Sequence, residues 1–315
     1  MCISPPRGRS KRFCLGLLTL QLLLAGVPVF AGTPEGLDSY LYEDNKQLVR
    51  LVEDAAALIE AQGAEAFATF SVKGSRWLRG ERYLFVYDDE GTVAFHPVEL
   101  QLVGQDLSRF ADIAGRPIVA RMMEIAQRPQ PDASDWVFYL WEGPWHTRPQ
   151  WKGSYVRKAI APDGRVFLVG SGLYNIKIER AFIEAAVDKA AQLIKTAGKD
   201  AAFAELRQIA CPCHVLDAYV RVTDEDGNML VDPLFPNLER TRNVAEAVDL
   251  VGKQVFHEVR ADLQQGETTW TSFTAPKPGS GLPEKRLIYT RKVRIGDETF
   301  YVGAAYVPAS PLWLK

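Results

Sequence analysis

The amino-acid sequence predicts an α+β protein of two related modules, each an antiparallel sheet of about five strands with helices on one side, joined by a helix. Three observations lead to this prediction: apolar and aromatic runs bounded by turn residues, helical apolar periodicity between them, and the return of the same pattern later in the chain. Of the 315 residues, 47% are hydrophobic and 24% are charged, which is typical of a soluble globular chain of about two domains.

A predicted β-hairpin defines the first module. Residues 83–87 read Tyr-Leu-Phe-Val-Tyr, residues 88–91 supply turn chemistry, and a second short strand ends at Pro97. The same pattern returns at residues 219–233. Five pairs of residues share one offset of 136: Tyr83 and Tyr219, Val86 and Val222, Asp88 and Asp224, Gly91 and Gly227, and Pro97 and Pro233. Five matches at one offset indicate a duplicated module, whereas a single match would indicate only a hairpin.

The rest of the first module alternates between helical and strand patterns. Apolar residues recur at three- and four-residue steps over residues 45–70 and 118–127, which predicts helices, the first of them interrupted near Gly63. Gly170 and Gly172 in the last strand indicate either close approach of another segment or a β-bulge. Strands are predicted over residues 136–141, 152–160 and 166–172.

A helical pattern over residues 176–195 leads into the second module, where the order of elements repeats. The run that begins at Asp249 resembles the run at Asp112, and we expect it to open a helix. We therefore expect the first module at residues 45–175 and the second at residues 176–310.

The first 31 residues form a separate segment. Four basic residues precede an apolar run over residues 14–25, and the small residue Ala31 follows. This arrangement predicts a secretory signal peptide over residues 1–31, and hence a periplasmic protein. The alternative is a protein anchored in the membrane by an uncleaved N-terminal segment. Cleavage is favoured because the apolar run is shorter than the ~20 residues of a spanning helix, and because Pro28 interrupts the apolar character.

Charge and cysteine content exclude several classes of protein. A net charge of −2 gives no electrostatic basis for binding nucleic acid. After the signal, Cys211 and Cys213 lie too close together to close a long loop, so they form either a strained local disulfide or two thiols. With His214 they offer three potential ligands, and no second cluster completes a metal site. We expect no metal and no cofactor, and no catalytic motif supports an enzyme.

A set of short motifs runs through the first module. They are Tyr83-Leu-Phe-Val-Tyr-Asp, Gly91, His96-Pro97, Gly104, Asp112 with Gly115, Trp136-Val-Phe-Tyr-Leu-Trp, Lys152 with Ser154-Tyr155-Val156, and Val169-Gly-Ser-Gly-Leu-Tyr. In these motifs the sequence resembles the Cache family of extracytoplasmic sensor domains, whose sheet is similar to that of PAS domains. The match is weaker in the second module, where Asp232 takes the place of His96 and Ala275 that of Trp141.

The resemblance implies two tandem Cache modules that sense a small molecule, held between the sheet and its helix-and-loop cover. Such modules commonly lie outside the membrane in chemoreceptors and histidine kinases. Because the sequence ends at Lys315 without a second span or an output domain, we expect a periplasmic sensor that binds a small organic acid or related metabolite and signals through a partner. The alternative is a ligand-free interaction module, accessory to a membrane receptor or kinase.

Candidate ligand contacts follow from strand alternation and from the resemblance. A cationic or hydrogen-bonding side chain inside an aromatic wall gives specificity for a small anion, and Lys152 and His96 are the candidates. The candidate set in the first module is His96, Lys152, Tyr155, Tyr139, Trp141, Tyr87, Phe85 and Trp136. A weaker set in the second module is Arg221, Tyr219, Trp270 and Tyr289.

Each candidate also has a purely structural interpretation. Lys152 follows a loop and is either in a pocket or solvated, while His96 either lines a pocket or only caps the end of its strand. Aromatic residues on strands belong to the core more often than to ligand sites. Arg221 either binds an anion or pairs with Asp232 across the hairpin.

Overall fold

The computed structural model describes residues 36–143 and 145–309. The predicted signal peptide therefore lies outside the described residues. The described chain is an α+β fold with two antiparallel sheets, which confirms the predicted fold class. Within these two ranges, no helix combines the length and the apolar character needed to cross a membrane.

The first sheet follows a long N-terminal helix. Helix α1 (Glu43–Gln62) ends at Gly63, as predicted, and a short 3₁₀ turn separates it from α2 (Ala66–Phe70). Buried residues of α1 recur at three- and four-residue steps, so one face of the helix packs against the core. The following elements are β1 (Leu78–Arg79), β2 (Arg82–Asp88), β3 (Val93–Phe95), α3 (Ile118–Ala126), β4 (Ser134–Trp141), β5 (Gln150–Ile160) and β6 (Val166–Tyr174).

The strand order of the first sheet is β1-β2-β6-β5-β4, and β3 pairs with β2. The sheet therefore has six strands instead of five. The extra strand, β1, pairs with β2 through Leu78 opposite Tyr83 and Arg79 opposite Arg82. A strand of two residues is too short to show an alternating pattern, so the sequence carries no signal for it.

Helices cover both faces of the first sheet, which corrects the expectation that they lie on one side. Helix α1 packs on the face that carries Leu84 and Val86. Helix α3 packs on the opposite face, with Phe85 and Leu168. Residues 83–87 are all buried, as a strand covered on both sides requires.

The second module repeats this arrangement with a five-stranded sheet of order β8-β7-β11-β10-β9. Its long helix, α4, packs against β10 and β11 as α1 packs against β5 and β6. The elements are α4 (Arg180–Ala197), α5 (Lys199–Leu206), β7 (Val220–Asp224), β8 (Met229–Val231), α6 (Val255–Gln265), β9 (Thr268–Pro276), β10 (Pro283–Ile295) and β11 (Glu298–Tyr306).

Equivalent cross-strand pairs support the duplication. Trp136 lies opposite Tyr155 in the first sheet, and Trp270 lies opposite Tyr289 in the second. Both residues of the pair are separated from their counterparts by 134 positions. Each indole N–H also donates a hydrogen bond to another side chain, at 2.9 and 2.7 Å respectively. The repeat therefore extends from sequence positions to individual contacts.

A turn centred on an aspartate also occurs in both modules. Asp112 accepts two hydrogen bonds from backbone N–H groups of its own turn and one from Leu140 on β4, all at 2.8–2.9 Å. Asp249 makes the same contacts with its own turn and with Thr274 on β9, at the same distances. The expectation that Asp249 opens a helix is wrong: α6 begins at Val255, because the carboxylate holds the preceding backbone in a turn.

The two modules are in contact through apolar and polar groups. Phe182 on α4 packs against Trp136 and Phe138 of the first sheet, with ring centroids 4.8 and 5.1 Å apart. Glu179, which is buried before α4, accepts hydrogen bonds of 2.8 and 2.9 Å from two backbone N–H groups just before α1. The division into two domains near residue 175 remains a prediction.

Cys211 and Cys213 are buried free thiols in this structure, which corresponds to the second of the two alternatives. The neighbouring His214 uses both ring nitrogens for backbone contacts: Nδ1 accepts a hydrogen bond from Val220 N–H (3.2 Å) and Nε2 donates one to the Leu206 carbonyl (3.0 Å). Burial lowers the pKa of His214 to about 4. The ring therefore fixes the start of β7.

We expect the Asp112→Asn substitution to lower the free energy of unfolding by about 2 kcal/mol. Both carboxylate oxygens accept hydrogen bonds from backbone N–H groups, whereas an amide has only one accepting oxygen and no charge to strengthen the bonds. Urea unfolding followed by circular dichroism measures the effect. Asp89→Asn is the matched control, since Asp89 is exposed in the hairpin turn. Equal unfolding midpoints for the two variants would contradict the proposed role of Asp112.

Candidate ligand-binding site

Lys152 is the central residue of the candidate site. Its side chain is buried in the first sheet, where the whole residue is 2% exposed, and Nζ donates a hydrogen bond of 2.8 Å to Tyr83 Oη. The ammonium also lies 4.4 Å from the ring centroid of Tyr83 and 4.9 Å from that of Tyr174. No carboxylate of the described residues is within ion-pairing distance of Nζ. The structure thus decides between the two interpretations of Lys152 in favour of burial.

Close approach of β6 creates the space that Lys152 occupies. Gly172 lies opposite Ser154 in a regular β5–β6 register, so close approach and not a bulge explains this glycine. A Cβ atom added at Gly172 would collide with Ser154 Oγ and would lie 2.6 Å from Lys152 Cε. The absence of a side chain at Gly172 therefore lets the lysine cross the face of the sheet.

Burial lowers the pKa of Lys152 to about 7, and the carboxylates of Glu99 and Glu81 offset part of this effect. A lysine with this pKa is about half protonated near neutral pH. Any anion bound beside it would favour the ammonium and raise its pKa again.

His96 lies beside this lysine and caps the end of its strand, which is one of the two roles considered for it. Its ring is 5.0 Å from that of Tyr83, and Nδ1 accepts a hydrogen bond of 2.8 Å from Glu99 N–H, which caps the end of the strand. Nε2 is 3.5 Å from Glu99 Oε2. Burial, and then the charge of Lys152, lower the pKa of His96 to about 3, so the ring is neutral and carries its proton on Nε2.

Four aromatic candidates lie on the same face of the sheet as the lysine. Tyr139 lies opposite Lys152 in the β4–β5 ladder, and its hydroxyl is 2.8 Å from Ser154 Oγ. Phe85 and Tyr87 are buried on β2, and Trp141 is half-buried at the end of β4. All four belong to the cluster that packs against α3. Burial raises the pKa values of Tyr87 and Tyr139, so both phenols remain protonated.

Trp136 and Tyr155 lie on the other face of the sheet, so they cannot contact the same ligand as Lys152. The ring of Trp136 packs 4.8 Å from Phe182, and Tyr155 donates a hydrogen bond of 2.7 Å to Glu53 on α1. Strand alternation explains this placement, because Tyr155 is three residues from Lys152 and Trp136 is three residues from Tyr139. These two residues are therefore not part of the candidate site.

The second-module candidates are also divided between two faces. Tyr289 and Trp270, whose ring centroids are 5.1 Å apart, pack with the core that includes α4. Arg221 pairs with buried Asp232, with 3.1 Å between Nε and Oδ2, as the structural alternative predicted. Tyr219 packs 5.0 Å from the ring of His214. These four residues do not form one site.

Three contributors to the first-module cluster are absent from the candidate set. Tyr83 shares the alternation of Phe85 and Tyr87, so the sequence contained a signal for it. Tyr174, at the end of β6, is opposite Lys152 in the β5–β6 ladder and required the register to be recognised. Glu99 lies in an irregular loop and carried no periodic signal; burial raises the pKa of its carboxyl group.

Two PAS-like sheets in tandem, with a lysine buried among aromatic side chains in the first, define an α+β protein of two PAS-like modules. The chain belongs to the Cache family: the sequence model described as Cache domain matches residues 41–304, which is more than half of the chain.

Solved structures similar to this chain come from sensor proteins. A periplasmic sensor domain of a chemotaxis protein is 30% identical, with 42% of this chain and 99% of that chain covered and a TM-score of 0.33. A Cache chemosensory domain from work on carboxylic acid recognition is 19% identical, with coverages of 39% and 84% and a TM-score of 0.32. The ligand-binding domain of a Pseudomonas fluorescens chemoreceptor in complex with L-alanine is 14% identical, with coverages of 86% and 93% and a TM-score of 0.29.

We expect the Gly172→Ala substitution to lower the free energy of unfolding by about 1–3 kcal/mol, because the added methyl group overpacks the Lys152 stem. Chemical denaturation measures this change. Gly266→Ala is the control, since a Cβ there meets no atom closer than 3.7 Å. A Gly172→Ala variant as stable as Gly266→Ala would show that the strand contacts at Lys152 are loose.

We expect the pH dependence of stability to reveal the buried ammonium. Above pH 7 the folded protein has released the Lys152 proton, while the unfolded chain keeps it up to about pH 10. Because the unfolded state then binds more protons, unfolding free energy rises with pH in this window, by about 1.4 kcal/mol per pH unit. The measurement is the difference between wild type and Lys152→Met in urea unfolding at pH 7.5, 8.5 and 9.5. A difference that stays constant across these pH values would show that the lysine has an ordinary pKa.

Proposed function

We propose that this protein is a periplasmic sensor whose first module binds a small organic acid through Lys152, and that it signals to a membrane receptor or kinase. The observation that carries the proposal is the buried ammonium of Lys152. It donates a hydrogen bond to the Tyr83 hydroxyl and lies beside the rings of Tyr83 and Tyr174, but it has no carboxylate partner among the described residues. Membership of the Cache family supports sensing as the general role.

The charge of Lys152 supports a carboxylate as the bound group. Burying a lone ammonium is costly unless a counter-charge accompanies it, and the lowered pKa of Lys152 expresses this cost. A ligand carboxylate would supply that counter-charge, and the Tyr83 and Tyr139 hydroxyls and His96 Nε2–H would direct its orientation. The rings of Phe85, Tyr87 and Trp141 would enclose its apolar part.

The first module is the better ligand site because the same positions in the second module already have partners. Arg286 is the counterpart of Lys152, 134 positions later, and its guanidinium pairs with Glu284 at 3.1 Å. Arg221, the counterpart of Phe85, pairs with Asp232. An anion at this second position would have to displace existing ion pairs.

The second module supports the partner part of the proposal. Val248, Leu250 and Val251 form an apolar loop and are 60%, 51% and 73% exposed. Exposed apolar patches are typical of protein contacts. The same observation favours the alternative function, in which the protein is an interaction module without a ligand.

We expect a screen of small mono- and dicarboxylic acids and amino acids to identify a ligand that raises the Tm of the protein. At 100 times Kd, binding to the native state adds about 2.7 kcal/mol to stability. Lys152→Met should abolish the shift, and His96→Ala should reduce it. Differential scanning fluorimetry at pH 7 measures all three proteins.

Lys158→Met is the matched control for this screen, because Lys158 is also buried on β5 but donates its hydrogen bond to the Arg128 carbonyl. It should retain the ligand-induced shift. A shift that persists in both Lys152→Met and His96→Ala would place the ligand elsewhere. The absence of a shift with every acid tested would favour the interaction module.

A further inference from the structure

A cavity of about 730 Å³ lies between α1, the β1–β2 turn and the end of β6. Arg82 shares a strand face with Leu84, which packs in the core that contains α1. The cavity therefore borders the α1 face of the sheet and reaches the end of β6, where Tyr174 also lines it. Its charged lining consists of four arginines and two acids: Arg50, Arg76, Arg79, Arg82, Asp54 and Glu81.

Two of these arginines have no anionic partner among the described residues. Arg50 pairs with Glu43 at 2.9 Å, and Arg76 pairs with Asp54. Glu81 lies 3.4 Å from His146. Across residues 36–143 and 145–309, no hydrogen bond or ion pair involves the guanidinium group of Arg79 or that of Arg82.

Arg79 and Arg82 are also directly opposite each other in the β1–β2 ladder. Like charges at opposed positions of an antiparallel pair destabilise the sheet. The first module thus carries an electrostatic cost at this turn, with no compensating contact in the described part of the protein.

The second module shows that the fold does not need arginines at this turn. Its equivalent bridge joins Val215 and Ala218, 136 positions after Arg79 and Arg82, and both residues are buried. The residue after Val215 even keeps the same backbone geometry: Leu216 has φ 53°, and Gly80 has φ 62°. The same turn therefore forms with apolar side chains.

We propose that this arginine-lined cavity is a binding site for a phosphate group, contacted by Arg79 and Arg82. Guanidinium groups bind phosphate oxygens through two parallel hydrogen bonds, and a dianion would neutralise both charges of the opposed pair. The phosphate belongs either to a free ion or ester or to the headgroup of an anionic lipid. The site is separate from the carboxylate site proposed above, although Tyr174 contributes to both.

The test uses the full chain and the double variant Arg79→Val/Arg82→Ala, which introduces the residues of the second module. Isothermal titration with inorganic phosphate at constant ionic strength probes the free ion, and flotation with phosphatidate-containing phosphatidylcholine vesicles probes the lipid. Wild type should bind at least one probe, and the double variant should bind it at least tenfold more weakly. Without a probe, the variant should melt no lower than wild type, since the like-charge pair is gone.

Arg109→Val/Arg242→Ala is the control, because it removes the same charge from two exposed positions outside the cavity. It should bind like wild type. Binding to phosphate identifies a free anion as the source, and binding to vesicles alone identifies a lipid. Failure of wild type to bind either probe, or equal affinity of wild type and Arg79→Val/Arg82→Ala, overturns the proposal. Should the double variant not fold, Arg79→Gln must show the loss instead.

Discussion

Strand register decides which side chains can meet in this protein. Lys152 lies opposite Tyr139 on β4 and opposite Tyr174 on β6, so the three share one face of the sheet. Trp136 and Tyr155 also lie opposite each other, but on the other face, where they meet α1 and α4. A slip of one residue would exchange the two sets. Because helices cover both faces, such a slip would bury the charge of Lys152 against α1 and would move Trp136 and Tyr155 away from α1 and α4.

Buried lysines on the same strand show how much the surroundings decide the role of an ammonium group. Lys158 donates to the carbonyl of Arg128, and its counterpart Lys292 donates to the carbonyl of Leu263. Both join a strand of the sheet to the segment at the end of the helix above it, in both modules. Lys152 instead contacts a phenol and aromatic rings, which offer a weaker counter-charge than a carboxylate. The difference supports a structural role for Lys158 and is the basis of the binding role proposed for Lys152.

The sequence predicts the hairpins, the long helices and the duplication well, because each depends on local periodicity or on matching positions. It does not predict that α3 covers the face opposite α1, since periodicity shows that a strand has two faces but not which element covers each. The candidate set mixed two faces of the sheet for the same reason. Lys152 and Tyr139 lie on the proposed face, whereas Tyr155 and Trp136, at odd spacing from them, lie on the other. Glu99 was not predicted because it lies in an irregular loop, and periodicity in the sequence does not show the path that such a loop takes.

Duplication supplies an internal comparison for separating fold from function. Asp112 and Asp249 have the same residue type and the same backbone contacts, so the fold itself accounts for them. His96 and Asp232 differ in type but share a task, since each side chain accepts a hydrogen bond from the backbone N–H three residues later. Because an aspartate can perform the capping role, capping does not explain the imidazole of the first module. The histidine instead places a neutral Nε2–H 3.5 Å from Glu99 Oε2, whereas an aspartate would add a second carboxylate that would compete with the proposed anionic ligand for the ammonium of Lys152.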